Sequence, residues 1–310
     1  LTDTVQIAIS EPSSALGVST PASLLKNIDC KGNNSGFVEA AVTGGTNPYT
    51  YSWNSTPTQN TAKASNLVAG TYIVTVTDAN NCNATKTIVL TEPTALTLSG
   101  SVTNVDCKGN STGSVVLTAG GGTSPYTYKN GTGSYQASST FSTLAAGSYT
   151  FTVKDANGCT QTVTSTVTEP SILNLSASIT NPVCIQDKSG QVVLSVTGGT
   201  STFTYRLDTT FNSITKSFVS TSTYNNLYEG KYAAEVKDAN GCLDTVQITI
   251  KHFDAIKPIP VPHKILTVYL GALGTVNVSA NMADSISSDN CGIASLSISK
   301  TTFNCSNIGY

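Results

Sequence analysis

The strongest constraint on this chain is that it copies itself. Cys30 returns at Cys107 and again at Cys184, a step of 77 residues each time. Gly44-Gly45-Thr46 returns as Gly121-Gly122-Thr123 and Gly198-Gly199-Thr200. Val76-Thr77-Asp78-Ala79-Asn80 returns as Val153-Lys154-Asp155-Ala156-Asn157 and Val236-Lys237-Asp238-Ala239-Asn240. A chain built from copies of one small unit folds as an array, whose function comes from length, spacing and surface rather than from one assembled pocket.

Alternation says that the copies are β. In Tyr72 to Thr77, Tyr149 to Lys154 and Tyr232 to Lys237, one face reads Tyr, apolar, Val and the other is mostly Thr, Lys or Glu, the pattern of a half-buried strand. Each is preceded by Leu-x-x-Gly-x-Tyr (Leu67 to Tyr72, Leu144 to Tyr149, Leu227 to Tyr232), which resembles the tyrosine corner of immunoglobulin-like sandwiches. Asp-Ala-Asn-Gly then closes a hairpin with a left-handed Gly. Tyr49, Tyr51 and Trp53 share one face of another short strand, which is the signature of core; as an exposed set they would offer a sugar-stacking platform. No stretch has a sustained helical period. The fold class is therefore all-β: tandem immunoglobulin-like β-sandwich repeats of roughly seven short strands each, expected to form an elongated rod.

Junctions are legible too. Ser10-Glu11-Pro12 recurs as Thr91-Glu92-Pro93 and Thr168-Glu169-Pro170, and Pro at each keeps one sheet's ladder from running into the next. Asp3-Thr4-Val5-Gln6-Ile7-Ala8-Ile9 repeats Asp244 to Ile250 with one change. The reading places the last strand of a preceding repeat at 1–12, β-sandwich repeats at 13–93, 94–170 and 171–253, and a truncated immunoglobulin-like module at 254–310. The last begins with the stiff link Lys257-Pro258-Ile259-Pro260-Val261-Pro262.

Charged residues make up 11% of the chain, against about 25% in ordinary soluble domains, and the net charge is −2 with no basic cluster. That surface suits neither nucleic acid nor an anionic membrane. No apolar run approaches the roughly 18 residues of a membrane span, so direct membrane insertion is not expected. The eight cysteines, two per unit, imply an oxidising compartment. Spacing pairs them within units: Cys30 with Cys82, Cys107 with Cys159, Cys184 with Cys242, and Cys291 with Cys305. An immunoglobulin-like path opposes this, because it sets the two cysteines of a repeat at opposite ends. It favours bridges between neighbouring repeats, such as Cys107 to Cys242.

No catalytic set assembles. His252 and His263 lie in or beside the Pro-rich link with no repeated Cys or acidic partner, and no repeat holds a Ser/His/Asp combination, so the chain reads as no enzyme and needs no cofactor. Calcium is the one ion worth testing. Asp78, Asp155 and Asp238 stand at domain ends, and Asp284 and Asp289 form a second candidate set. One carboxylate with a neighbouring Asn offers few oxygens, and Asp at the head of a turn caps backbone N–H groups in any case.

The order Cys-Lys-Gly-Asn, Gly-Gly-Thr, Pro-Tyr-Thr-Tyr-Ser-Trp, Leu-Val-Ala-Gly-Thr-Tyr, Val-Thr-Asp-Ala-Asn-Asn-Cys and Thr-Glu-Pro, from Cys30 to Pro93, resembles the SprB repeat of Bacteroidetes cell-surface gliding adhesins. Repeat two follows it closely. Repeat three lacks the Trp, has Ile185-Gln186-Asp187 where Lys-Gly-Asn is expected, and carries six extra residues before Cys242. The resemblance implies a structural stalk segment of a very large secreted, extracellular protein on the outer membrane of a Gram-negative cell. It further implies export and handling by the type IX secretion and gliding machinery, and use in attachment and gliding motility. A multivalent, weak polysaccharide-binding array is the alternative. Within such an array the immediate partners of each repeat are its neighbours in the chain. The same resemblance implies O-glycans at Asp-Ser/Thr-aliphatic triplets, here at Thr4, Thr245 and Ser285.

Overall fold

The computed structural model describes residues 14–209, 217–293 and 295–307. The strand expected at 1–12 and the Thr4 triplet lie outside the described residues. Two compact units result: residues 1–105 with 109–169, and residues 106–108 with 170–310. The division falls at Glu169/Pro170, one of the three Pro junctions.

The first unit holds the first two repeats. Repeat one has β1 (Gly17–Ser19), β2 (Leu25–Lys26), β3 (Gly36–Glu39), β4 (Ala41–Thr43), β5 (Thr50–Trp53), β6 (Lys63–Leu67), β7 (Gly70–Thr77) and β8 (Asn83–Leu90). They form the antiparallel sheets β2-β3-β6 and β5-β7-β8, with β1 paired to β4. Repeat two is more regular: β9 (Thr97–Thr103), β10 (Gly113–Gly120), β11 (Thr127–Asn130), β12 (Thr140–Leu144), β13 (Gly147–Lys154) and β14 (Thr160–Val167) form the sheets β9-β10-β12 and β11-β13-β14. In the second unit, β15 (Asn174–Thr180), β16 (Gly190–Thr197), β17 (Thr204–Asp208), β18 (Thr223–Leu227), β19 (Gly230–Lys237) and β20 (Leu243–Ile250) repeat that plan. Among the described residues a seventh strand survives as one bridge in each of these two repeats, Tyr128 to Gln136 and Tyr205 to Val219. In repeat two it follows Asn130-Gly131-Thr132-Gly133, a turn-forming run that ends the ladder early.

The immunoglobulin-like β-sandwich thus appears in tandem as two three-stranded sheets per repeat, with one core between them. In repeat one Val38, Trp53, Val74, Val76 and Leu90 are fully covered; in repeat two Val115, Phe151, Val153 and Val167 are. In repeat two the missing Trp is compensated across the strand pair. Trp53 faces Val74 and Asn130 faces Phe151, so in repeat two a large side chain opposite a small one becomes the reverse, while in repeat three Leu207 faces Ala234 and the order is kept with smaller residues. Close packing at near-crystalline density demands this exchange of volume. The Trp53 indole donates to the Thr61 carbonyl at 2.9 Å and is 1% exposed, while Tyr49 and Tyr51 pack on the same cluster. This strand face is core and offers no stacking platform.

Repeat three departs from half-burial. Along β19 Ala233 and Glu235, expected on the outer face, are buried as well. Arg206, across the pair on β17, forms an ion pair with Glu235 and stacks on Phe218, which also receives Lys237. Repeat two has the same aromatic lid, Tyr135 over Lys129 and Lys154, so what sets repeat three apart is the buried carboxylate of Glu235 where repeat two has Thr152.

The tyrosine corner is present in all three repeats. Tyr72, Tyr149 and Tyr232 each donate to the carbonyl four residues upstream, on Val68, Ala145 and Tyr228, at 3.0, 2.9 and 2.8 Å. Tyr232→Phe removes only that bond from a ring 5% exposed. The expected cost is about 1 kcal/mol, read as a lower denaturant midpoint at unchanged m-value.

The tail pairs β21 (Thr275–Asn277) with β22 (Thr302–Asn304) and has one helical turn, α1 (Ala280–Ala283), where the Ser279 side chain accepts from the Met282 amide. Val278 is its one buried hydrophobic among the described residues.

Candidate functional site

The residues that recur best are polar turn residues, and the structure shows what they do. Asp78 is 4% exposed; its Oδ1 accepts the amides of Asn80 and Cys82, both at 2.9 Å, and its Oδ2 accepts the amide of Thr46 at 3.0 Å. Asp155 does the same for Asn157, Cys159 and Thr123 at 3.0, 2.8 and 2.9 Å. Asp238 does so for Asn240, Cys242 and Thr200, each at 2.9 Å. One carboxylate therefore locks the Gly-Gly-Thr turn to the Asp-Ala-Asn-x-Cys turn, where x is Asn81, Gly158 or Gly241. With three backbone donors aimed at it, it is a turn-holder first, which is how the calcium candidates Asp78, Asp155 and Asp238 are placed.

The same turn lies beside the chain entering the repeat. Gly122 donates to the Thr94 carbonyl at 2.9 Å and Gly199 to the Ser171 carbonyl at 3.1 Å. A Cβ on Gly121, whose φ is +68°, would sit 1.9 Å from the Ala95 carbonyl oxygen. At the exit of each repeat the other cysteine waits. Ile28 donates to the Thr91 carbonyl, Gly32 donates to Glu92 Oε2 at 2.7 Å, and Lys31 pairs with the other oxygen of Glu92. In repeat two Val105 donates to Thr168 and Gly109 to Glu169 at 2.8 Å. The Glu of Thr-Glu-Pro thus clamps the Cys-Lys-Gly turn of its own repeat, one or two residues before the chain reaches the next.

This geometry corrects the disulfide pairing. Cys30 bonds Cys159, Cys107 bonds Cys242, and Cys184 bonds Cys291, with Cα separations of 5.7, 5.7 and 5.1 Å. Cys82 and Cys305 are free and exposed. Pairing inside a repeat fails because Cys30 is held at the Thr91 end of β8 and Cys82 at its beginning. Eight strand residues separate them by about 25 Å, whereas a bridge tolerates Cα atoms only to about 7 Å. The bridges between neighbours, which the immunoglobulin-like path favoured, are the ones formed. Cys291 is drawn to Cys184 by the Asp289-Asn290-Cys291 turn, where Asp289 accepts the Cys291 amide at 2.9 Å, and Cys305 is left against Gly274.

Asn completes the joint. The Asn157 side-chain amide donates to Thr123 Oγ1 at 3.1 Å in its own repeat and to the Asp29 carbonyl, next to Cys30, at 3.0 Å. Asn240 donates to Thr200 Oγ1 and to the Asp106 carbonyl, next to Cys107, at 3.1 and 2.8 Å. Asp106–Lys108 groups with the second unit, consistent with this attachment. Repeat three's odd Ile185-Gln186-Asp187 turn is the one whose cysteine meets the tail module instead of another repeat. Sequence reasoning had the Asp, Asn and Glu in view as turn and junction residues. It missed that they meet, because that meeting depends on which ends of the sandwich the linker joins.

Three carboxylates of repeat one titrate below their ordinary values. The Cys82 amide, then those of Thr46 and Asn80, bring Asp78 below its ordinary 3.8. Lys31 and then the Gly32 amide bring Glu92 below 4.5, and Lys26 lowers Asp29. A carboxylate depressed in the folded state contributes stability that is complete above its unfolded value and lost as pH falls through its folded one. Stability is expected to be flat from neutral pH down to about pH 5 and to fall below about pH 4. Denaturant midpoints measured from pH 7 to pH 3 check this, and a midpoint already falling between pH 7 and 5 contradicts it.

The remaining candidates stay apart. Asp284 accepts the Ser287 amide at 3.3 Å and its hydroxyl, so it caps a turn. Asp254, Asp289 and Cys291 bring ligand atoms within 4.8 Å of one another, but the Cys291 sulfur is tied up in its bridge. His252 contacts Glu229 at 2.5 Å, and the His263 amide donates to Ala283. Thr245 and Ser285 are exposed. No helix among the described residues is long and apolar enough to cross a membrane.

No curated protein matches the chain in sequence. Among solved structures it is similar to Sidekick-1 immunoglobulin domains 1–5 (8% identity, 79% of this chain, 59% of that one, TM-score 0.32) and to the N-terminal eight immunoglobulin domains of Down syndrome cell adhesion molecule (13%, 78%, 37%, 0.34). It is also similar to invasin, a bacterial integrin-binding protein (15%, 80%, 62%, 0.32). The chain spans less than two thirds of the length of each. The SprB repeat family matches residues 23–58, 99–135 and 176–210, once in each sandwich. Three cystines fit an oxidising, extracellular setting. Three segments of the chain, one in each sandwich, thus match the SprB repeat family, and to that extent the chain is similar to it.

Proposed function

We propose that this region is a structural stalk segment of a very large secreted adhesin, exported by the type IX system, anchored at the outer membrane of a Gram-negative cell, and used in surface attachment and gliding motility. The observation that carries the reading is where the recurring polar residues go. The Asn and Cys of one turn and the Cys of the other are spent on holding each repeat to its neighbour, while the Asp and the Glu fix those two turns within their own repeats. A binding repeat would spend them on an exposed cluster. Cystine-linked sandwiches transmit force from a distant tip without depending on any ligand at the repeats themselves. The polysaccharide-binding alternative needs an exposed aromatic face, and Trp53 with its neighbours is core.

Two measurements on the isolated chain test the proposal. Small-angle scattering is expected to give a radius of gyration well above the roughly 20 Å of a single compact domain of this length. A polysaccharide panel is expected to show no binding. A compact particle, or saturable binding that grows with repeat number, overturns the stalk reading. Calcium-dependent stiffening and O-glycans at Thr245 and Ser285 are separate proposals, checked by melting in chelator and by intact mass.

A further inference from the structure

Cys82 is the one member of its set without a partner. Its turn makes the same hydrogen bonds as those of Cys159 and Cys242, with Asn81 at φ +66° where they have Gly158 and Gly241. Asp78 holds the Cys82 amide at 2.9 Å, the Asp78 amide donates back to the Cys82 carbonyl at 3.0 Å, and Asn80 donates to Thr46 Oγ1 at 3.0 Å. In both other copies this arrangement is occupied. The cysteine is bonded to the first cysteine of the preceding repeat, and the second N–H of the Asn amide sits on the carbonyl before that cysteine. In repeat one the Asn80 amide has no such acceptor among the described residues, and the sulfur is free and exposed. Gly45 donates to the Ser14 carbonyl as Gly122 does to Thr94, so the entering chain passes the Cys82 turn on the route it takes past Cys159.

A second observation comes from sequence. Ser10-Glu11-Pro12 stands where Thr91-Glu92-Pro93 and Thr168-Glu169-Pro170 stand before the later repeats, and Glu92 and Glu169 are the residues that clamp a Cys-Lys-Gly turn. We propose that Cys82 is the receiving half of an inter-repeat cystine whose donor is the Cys-Lys-Gly turn of a preceding SprB repeat, so that the ladder of bridges runs on through repeat one. The bond forms by loss of one hydrogen from each of the two thiols. A disulfide oxidant, low-molecular-weight or enzymatic, takes up the two electrons and two protons and leaves as two thiols. The proposal rests on the bridges seen here and not on the stalk reading, since a ligand-binding array could be stitched in the same way.

The test replaces residues 1–12 with a second copy of residues 94–170, so that a complete repeat ending in Thr-Glu-Pro leads into Ser13. The chain is refolded in a glutathione couple, its free thiols are alkylated, and its peptides are mapped without reduction. Cys82 is expected to lose its alkylation and to appear linked to the added repeat's first cysteine, while the added repeat's second cysteine becomes the alkylated one. Alkylated or glutathionylated Cys82, or Cys82 bonded to another chain, with the three existing bridges intact, overturns the proposal. So does closure of the added repeat's two cysteines on each other. The unextended chain supplies a second measurement. Its Cys82 is expected to alkylate fully without reductant, and a Cys82 found bonded within that chain overturns the proposal equally.

Discussion

Replacing Cys107 by Ser is expected to cost the chain about 3–5 kcal/mol, because the bridge to Cys242 closes a loop with a sequence separation of 135. Chain entropy sets the upper figure when both joined repeats unfold together. The lower figure applies when one unfolds while its neighbour stays folded and the effective loop is shorter. Each sandwich has its own buried cluster, so the variant is expected to keep its β-sheet content while its unfolding separates into less cooperative steps. Calorimetry of the variant beside the parent reads both effects. A single transition at an unchanged temperature would mean that the joint contributes nothing.

Asp238→Ala is expected to be comparably costly through a different cause. The amides of Thr200, Asn240 and Cys242 lose their common acceptor at a site 4% exposed, and buried donors left without partners cost about 1–3 kcal/mol each where water cannot replace the carboxylate. With partial rescue by water the expected total is about 3–5 kcal/mol. Asp238→Asn should recover only part of it, since the amide can accept on one side but sets N–H against N–H on the other. The turn also presents Cys242, so both variants are expected to slow formation of the Cys107–Cys242 bridge during oxidative refolding. Normal bridging with the stability loss present would show that Asp238 holds the fold but does not aim the cysteine.

The fold was legible because its signals are local. The alternation of Tyr72, Val74 and Val76, the Leu-x-x-Gly-x-Tyr corner and the Asp-Ala-Asn-Gly hairpin each report a conformation set by residues a few positions apart. Burial of Glu235 was not legible, since nothing in Ala233-Ala234-Glu235 announces that Phe218 and Arg206 will cover it. The joint was half legible. Its residues stood out by recurrence, and equal spacing of 52 residues between Cys30 and Cys82 and between Cys107 and Cys159 argued for pairing inside the repeat. Equal spacing is also what a ladder between repeats produces, because every member shifts by the same period. The deciding fact is the length of β8, which carries the two cysteines of a repeat to opposite ends and leaves a three-residue junction to bring the right partners together.

The central claim is that neighbouring modules are covalently joined, and non-reducing peptide mapping of the oxidised chain tests it most directly. The account predicts linked peptides Cys30 with Cys159, Cys107 with Cys242 and Cys184 with Cys291, and alkylated Cys82 and Cys305. Cys30 linked to Cys82, or Cys107 linked to Cys159, would contradict it.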